Sequence, residues 1–265
     1  ATHGDTKHVL LFPSTPTECF EMTATALDLA ERLQTPIMVM TDLDLGMNDH
    51  LCDPFTWDPA RMYDRGKVLN AEDLDRIEKF GRYLDVDKDG ITYRTLPGTH
   101  PTKGSFFSRG TSRDEFARYT EEGAAYVRNM DRLIRKFDTA KTLVPPPQFY
   151  PDPSGADVGM LFFGTTTDSA LEAIDMLRAQ GIQVDGMRLK AAPFPRSVLD
   201  FIMDHETVFV VEQNRDAQMR SILINELEID PRRLVSVLNY DGFPITADFI
   251  IRKIHSHIPQ PQNAV

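Results

Sequence analysis

"VGMLFFGTTTDSALEAIDMLRAQGIQVDGMRLK", Val158 to Lys190, is the stretch that decides the fold. Its first seven residues form a short apolar run ending on a glycine, the pattern of a buried strand. "TTDSALEAIDMLRAQG" reads as a helix closed by Gly181, the residue type that most easily takes the left-handed conformation at a helix end. "IQVDGMRLK" is a second strand. Strand, helix and strand joined by tight connections make a βαβ unit, which belongs to a parallel sheet. The alternation continues downstream. "RSVLDFIMDH" is a helix, "ETVFVVEQ" a strand, "RDAQMRSILINEL" a helix, "RLVSVL" a strand and "TADFIIRKIHSHI" a last helix. Four strands alternating with four helices predict an open parallel α/β domain over residues 156–258.

Upstream, residues 144–155, "VPPPQFYPDPSG", hold five prolines in twelve residues and read as a stiff linker. Residues 51–143 form a loop-rich, helical connecting region. "DLGMNDHLCDPFTWDP", leading into it, is polar and turn-rich. "NAEDLDRIEKFGRYL" predicts a helix capped by Asn70. "PGTHPTKGSFFSRGTS" is punctuated by Pro and Gly and predicts a loop. "RDEFARYTEEGAAYVRNMDRLIRKFDTAKTL" predicts one or two amphipathic helices. Residues 1–50 return to the α/β pattern. "HVLLF" is a strand and "TPIMVMTD" another. Between them "ECFEMTATALDLAERLQ" places Phe20, Ala24, Leu27 and Ala30 at helical spacing. Thr15 or Thr17 can cap this helix, with Pro16 near its first turn and Glu18 adding favourable charge at its N-terminus. This is a second βαβ unit.

Composition narrows the function classes. Of the 265 residues, 41% are hydrophobic and 26% charged, ordinary values for a globular protein. The formal net charge of −11 argues against a binder of nucleic-acid phosphates. Apolar runs such as "TVFVV" are far shorter than the about 20 residues needed to span a bilayer, so no membrane partner is expected. Cys19 and Cys52 stand in no CxxC arrangement, so neither a disulfide framework nor an iron–sulfur ligand set is legible. A reducing, cytoplasmic location fits. No GxSxG, HExxH or P-loop pattern is present.

Several ordered pieces carry a resemblance. "HGD…VLLFPSTPTECFEMTATALDLAERLQTPIMVMTDLDLGMN" looks like the later part of the pyrimidine-binding domain of 2-oxoacid:ferredoxin oxidoreductase α subunits. "DVDKDGITYRTLPGTHPTKGSFFSRGTSRDEFARYTE" is similar to the segment that follows it in those subunits. "FFGTTTDSALEAIDMLRAQG", "MRLKAAPFP" and "VFVVEQNRDAQMRSIL" resemble the transketolase-C-like domain next in order. "EQNRDAQMRSIL" and "LNYDGFPITADFI" look most like the 2-oxoglutarate-using members. The resemblance implies a fold: α/β, with a partial thiamine-diphosphate pyrimidine-type domain followed by a transketolase-C-like open parallel α/β domain.

It also implies an activity. The assembly would convert 2-oxoglutarate and coenzyme A to succinyl-CoA, CO₂ and reduced ferredoxin. Pyruvate or a branched-chain 2-oxoacid is the rival substrate, and a non-catalytic assembly module of the same fold is the rival role. In the family the glutamate that activates the cofactor, and the substrate loops, lie upstream of "HGD". The chain therefore reads as a fragment of a longer subunit, inactive alone, with catalytic residues upstream of Ala1 or on a partner. Thiamine diphosphate with Mg²⁺ and an iron–sulfur cluster are implied for the whole complex, on a β subunit, with none bound by this chain alone. Ferredoxin is the implied electron acceptor.

Candidate contacts to the acid or to coenzyme A are His100, Thr102, Lys103 and Arg109. They are polar and cationic groups among glycines that let a backbone approach an anion closely. The alternative is a structural loop. His3 and Asp5 are further candidates, against a reading as hinge residues. "DVDKDG" (Asp85, Asp87, Asp89) opens like an EF-hand calcium loop, but position twelve is Leu96 instead of the bidentate Glu, so a solvated acidic turn is the alternative. "FFGTTTDSA" and "VVEQN" lie at strand C-terminal ends, where ligands bind in open α/β sheets, yet helix capping and packing account for both.

Overall fold

A computed structural model describes residues 7–108 and 112–258. His3, Asp5 and Arg109 lie outside the described residues. By contacts the chain divides into two units. One contains residues 1–9, 24–37 and 57–144, the other residues 10–23, 38–56 and 145–265.

In the second unit the alternation read from Val158 onward is present. Strands β1 (Val9–Leu11) and β2 (Ile37–Val39) flank helix α1 (Pro16–Leu33), whose residues from Ala24 onward count with the first unit, and the short α2 (Leu43–Met47) follows. Next come β3 (Gln148–Tyr150), β4 (Val158–Phe163), α5 (Thr166–Ala179), β5 (Val184–Leu189), β6 (Ala191–Ala192), α6 (Arg196–Asp204), β7 (Thr207–Glu212), α7 (Gln218–Leu227), β8 (Leu234–Leu238) and α8 (Ala247–His255). The large sheet has the order β3-β5-β4-β7-β8. β5, β4, β7 and β8 are parallel and β3 is antiparallel to β5. Because β5 and β7 lie on opposite sides of β4, the strand order reverses there. The C-terminal ends of β4 and β7 form the topological switch point.

The proline-rich stretch differs from its reading as a linker only. Gln148–Tyr150 adds an edge strand. Pro145–Pro147 and Pro151 bracket it, and proline without an N–H is tolerated at an edge. The first βαβ unit also differs. Its strands enter a three-stranded sheet of order β2-β1-β6, in which β1 runs antiparallel to β6.

Alternate side chains of the parallel strands serve two cores. Met160, Phe162, Phe209 and Val211 face Ala173, Ile174 and Leu177 of α5 and Ile250 and Ile254 of α8. Leu161, Val208 and Val210 face Val198 and Ile202 of α6 and Met219 and Leu223 of α7, with Phe12 joining them. The result is a three-layer α/β/α arrangement.

Residues 57–144 of the first unit hold two helices among the described residues, α3 (Ala71–Arg76) and α4 (Gly123–Ala140). Asn70 caps α3 as its sequence predicts, in a capping box with Asp73. The helix is shorter than its periodic stretch, because Ile77 turns to extended backbone. Only one helix forms between Arg113 and Leu143. Asp114 Oδ1 accepts from the backbone N–H groups of Phe116 and Arg118 at 2.9 and 2.8 Å, and this local turn competes with helix formation.

One polar contact in the second unit is buried at the start of α1. Arg188, 4% exposed, lies in β5, a strand buried at every position. Its guanidinium donates to Glu18 through Nη1 at 3.1 Å and through Nη2. Glu18 also accepts from the Ser14 amide at 2.9 Å and pairs with Lys190 at 3.2 Å. Burial alone would raise the Glu18 pKa. The hydrogen bonds from Arg188 and Ser14 and the two positive charges outweigh it and hold the carboxyl at about 2.

A folded pKa below the unfolded value adds stability that is full above about 4.5 and lost as pH falls toward about 2. Glu18→Gln is therefore expected to lower unfolding free energy by on the order of 1–3 kcal/mol at pH 7, after screening. Urea melts of both proteins check this. The gap between them shrinks by pH 3, and a gap of constant size contradicts the assignment.

Candidate functional site

The glycine-punctuated loop is bolted to α3. The Nδ1 atom of His100 accepts from the backbone N–H groups of Thr102 and Lys103 at 3.1 and 2.9 Å. The proton therefore belongs on Nε2, which lies 3.1 Å from Asp75 Oδ1. Lys103 Nζ donates to the carbonyl of Leu74 at 3.0 Å and that of Asp75 at 3.4 Å. These carbonyls belong to the last turn of α3, where no intrahelical donor remains, so Lys103 acts as its C-terminal cap. Gly104 has φ +80, and a Cβ there would lie 2.8 Å from Leu74 Cδ1. Thr102 is exposed, as are Phe106 and Phe107. The structure thus brings His100, Thr102 and Lys103 together. The Lys103 side chain keeps 38% of its surface open.

The acidic turn is organised by cations of the chain itself. Lys67 Nζ reaches Asp87 Oδ2 at 2.6 Å, both carboxylate oxygens of Asp89 at 2.8 Å, and the Ile91 carbonyl at 3.0 Å. Asp85 accepts from the Gly90 amide at 3.0 Å and from Arg135 at 3.1 Å. Lys67 is held above the usual lysine pKa because the bonds to Asp87 and Asp89 outweigh its burial. The turn is also a docking surface for α4. Gly90 has φ +79, and a Cβ there would meet the Lys136 amide nitrogen at 2.1 Å and the Arg132 carbonyl at 2.6 Å. Arg132 Nη1 donates to the Gly90 carbonyl at 2.9 Å, and Thr139 Oγ1 to the Asp89 carbonyl at 2.7 Å. Among the described residues no group of three or more His, Cys, Asp or Glu side chains is placed to hold a metal ion.

At the switch point the polar groups satisfy one another. Gln213 Nε2 donates to Thr165 and Thr166 Oγ1, both at 3.2 Å, and its Oε1 accepts from the Ile245 amide at 3.3 Å. Thr165 Oγ1 donates to Asp42 at 2.5 Å. Glu212, fully buried, accepts from the Met219 and Arg220 amides at 2.7 and 3.0 Å and from Asn214 at 2.9 Å. A carboxylate of the chain therefore fills the anion seat at the N-terminus of α7.

Sequence reading misses a cationic cluster in the first unit. Arg82, Arg113 and Arg132 place their guanidinium carbons 5.3, 5.5 and 6.0 Å from the Tyr83 ring centre. Lys136 lies one helical turn beyond Arg132 on α4. The sequence signal is thin, an i, i+4 cation pair on a helix about fifty residues from its partners.

Comparison with known proteins gives this geometry a setting. Residues 156–241 match the family model for pyruvate:ferredoxin oxidoreductase core domain II. An Aeropyrum pernix 2-oxoacid:ferredoxin oxidoreductase α subunit is 28% identical over 249 residues, 92% of this chain and 37% of its own. The Methanothermobacter thermautotrophicus 2-oxoglutarate synthase subunit KorA is 24% identical, over 80% of this chain and 54% of its own. The ketoisovalerate oxidoreductase subunit VorB of the same organism is 23% identical, over 82% and 52%. Among solved structures, 2-oxoglutarate:ferredoxin oxidoreductase from Magnetococcus marinus superposes with a TM-score of 0.75 at 22% identity, covering 96% of this chain and 43% of that one.

The fold is therefore that of a 2-oxoacid oxidoreductase segment, α/β with a parallel sheet. Over nearly all its length the chain resembles the α subunits of 2-oxoacid:ferredoxin oxidoreductases. It spans about two fifths of the length of the first curated relatives, 37% and 41%.

Gly90→Ala should cost at least about 2 kcal/mol, since it joins a left-handed backbone to a clash with another backbone. A denaturant melt within about 0.5 kcal/mol of wild type would show that α4 does not depend on this approach.

Proposed function

We propose that the chain is part of the α subunit of a 2-oxoacid:ferredoxin oxidoreductase whose substrate is 2-oxoglutarate. The carrying observation is a single alignment over 92% of the chain to such an α subunit. The balanced reaction is 2-oxoglutarate plus coenzyme A plus two oxidised ferredoxins giving succinyl-CoA, CO₂, a proton and two reduced ferredoxins. Residues 1–50 then correspond to the later part of a pyrimidine-binding domain, residues 51–143 to the connecting region, residues 144–155 to the link, and residues 156–258 to the transketolase-C-like domain.

Thiamine diphosphate with Mg²⁺ would supply carbanion stabilisation, and an iron–sulfur cluster the exit for electrons. Such a cluster is commonly held by four thiolates, whereas the chain has two cysteines. We therefore assign both cofactors to the remainder of the assembly, chiefly a β subunit, and derive no step through them. A partner is also favoured by surface chemistry. Leu43, Met47, Leu51 and Phe55 of the second unit are 79%, 79%, 105% and 52% exposed, an apolar stretch suited to burial in an interface. We assign the assembly to the cytoplasm, a reducing compartment that fits two cysteines outside any CxxC arrangement. None of the described helices is long and apolar enough to cross a membrane.

The role proposed for this chain is to present an anion-contacting loop. His100 fixes the loop by accepting two of its amides, while Thr102, the open part of Lys103, and Arg109 meet the carboxylates of the acid or the phosphates of coenzyme A. His3 and Asp5 are kept as further candidate contacts to the acid or to coenzyme A. A branched-chain substrate is the second reading, favoured by the near-equal identity to the ketoisovalerate and 2-oxoglutarate relatives, 23% and 24%.

In the assembled complex, turnover with 2-oxoglutarate is expected to exceed that with pyruvate and 3-methyl-2-oxobutanoate at least about tenfold in kcat/KM, a difference of about 1.4 kcal/mol. A preference for the branched acid selects the second reading. Viologen-coupled assays with each acid decide between them.

Lys103→Ala in the same complex should raise KM for 2-oxoglutarate or coenzyme A by about ten- to a hundredfold, the loss of one charge-assisted hydrogen bond. Unchanged KM for both, with a lowered melting temperature, would assign Lys103 to the α3 cap alone.

A further inference from the structure

Three cations meet in the first unit with few partners. Arg132 is 9% exposed. Its Nη1 donates to the Gly90 carbonyl, and its Nε has no hydrogen-bond partner. Arg82 donates through Nη1 to Thr92 Oγ1 at 2.8 Å and packs its guanidinium 5.5 Å from the Phe106 ring centre. Lys136, half-buried on α4, makes neither a hydrogen bond nor an ion pair among the described residues. The Tyr83 ring lies against the guanidinium groups of Arg82 and Arg132, 5.3 and 6.0 Å from its centre. Its hydroxyl is 2.8 Å from Ser108 Oγ and accepts from Arg113 Nη1 at 3.1 Å. The nearby carboxylate is Asp85, already engaged by Arg135 and the Gly90 amide. Like charges this close and this poorly hydrated repel strongly. A carbonyl, a hydroxyl and a π face offset that only partly.

We propose that Arg82 and Arg132, gathered around Tyr83, and Lys136, one helical turn beyond Arg132 on α4, form a binding site for a small oxyanion, a phosphate or a carboxylate. Two planar guanidinium groups and one ammonium supply the forked and point-charge donors such a group accepts. Phe106 and Ser108 mark the solvent side of the cluster, both being exposed. The site is distinct from the His100–Lys103 loop contact and does not rest on the proposed reaction.

Protonation adds a signature. Burial first, then the charges of Arg132 and Arg82, push Lys136 down to about 8. The charged or titratable groups around Arg132, one helical turn before it, are Asp85, Arg82, Tyr83 and Arg135. Bound anion favours the ammonium form, so binding takes up protons near pH 8 and weakens as pH rises above it.

The test is isothermal titration of the full chain with inorganic phosphate and, separately, with succinate, at pH 7 and pH 9. The variants Lys136→Met and Arg82→Gln run beside it, with thermal melts to establish folding. Saturable binding of either anion, weakened at least about tenfold in both folded variants and by several-fold, up to about tenfold, at pH 9, is the expected result. The arm that binds tells phosphate from carboxylate. At pH 8 the succinate enthalpy should differ between Tris and HEPES in wild type and not in Lys136→Met. Should either variant fail to fold, that buffer dependence and the pH 9 loss in wild type carry the decision. No saturable binding of either anion, or binding that both folded variants and pH 9 leave unchanged, overturns the site.

Discussion

The contact between Glu18 and Arg188 constrains much of the second unit. A guanidinium inside a strand buried at every position is tolerable only when its charge is met in place. Glu18 meets it from the first turn of α1, where the helix N-terminus also favours negative charge. One carboxylate thus fixes the start of a helix and the charge of a central strand together. The chain then has little freedom nearby. The Phe12 amide donates to the Lys190 carbonyl at 2.8 Å, and Leu10 and Leu11 pair with Ala192 and Ala191. Removing one partner of such a pair leaves the other charge buried and uncompensated.

The first unit depends on a close backbone approach instead of a buried charge. Gly90 lets the turn press against α4, and Arg132 and Thr139 return hydrogen bonds to the turn's carbonyls. The carboxylates that make "DVDKDG" look like a cation loop serve this packing. Lys67 bridges two of them and Arg135 engages the third. Acidic spacing alone does not distinguish a metal from an ammonium, since both satisfy clustered oxygens. The distinguishing partner is separated from Asp87 by twenty residues, beyond any local pattern.

That separation explains what could be read in the sequence. Alternation of apolar runs with amphipathic stretches placed the four parallel strands and their helices, because burial writes a period of two or 3.6 into consecutive residues. Asn70 was legible as a cap for the same local reason, and of Thr15 and Thr17, the two residues read as possible caps of α1, Thr15 accepts through Oγ1 from the Glu18 amide at 3.2 Å. Elements fixed by distant partners were not legible. The strand at Gln148–Tyr150 exists because β5 offers an open edge, and the switch of β1 into a separate sheet requires Ala191–Ala192. Among the candidate site residues, grouping of His100, Thr102 and Lys103 was legible as one loop. Their bonds to α3 were not, because "NAEDLDR" carries no mark of which helix will need a C-terminal cap.

Charge shows the same division between local and collective properties. A net charge of −11 describes the whole chain, yet the field at a site is set by the few groups within about one Debye length, roughly 8–10 Å. Around Tyr83 those groups are mostly cationic, and burial strengthens their effect by removing water that would screen them. Some acidic side chains elsewhere are held in exposed pairs such as Asp230 with Arg232 and Asp248 with Arg252, and the surplus keeps the rest of the surface negative. An acidic protein can therefore hold a positive recess for a small anion while repelling extended polyanions such as nucleic acid. The two properties are compatible because a small anion samples only the recess, whereas a polyanion must also lie against the negative surface beyond it.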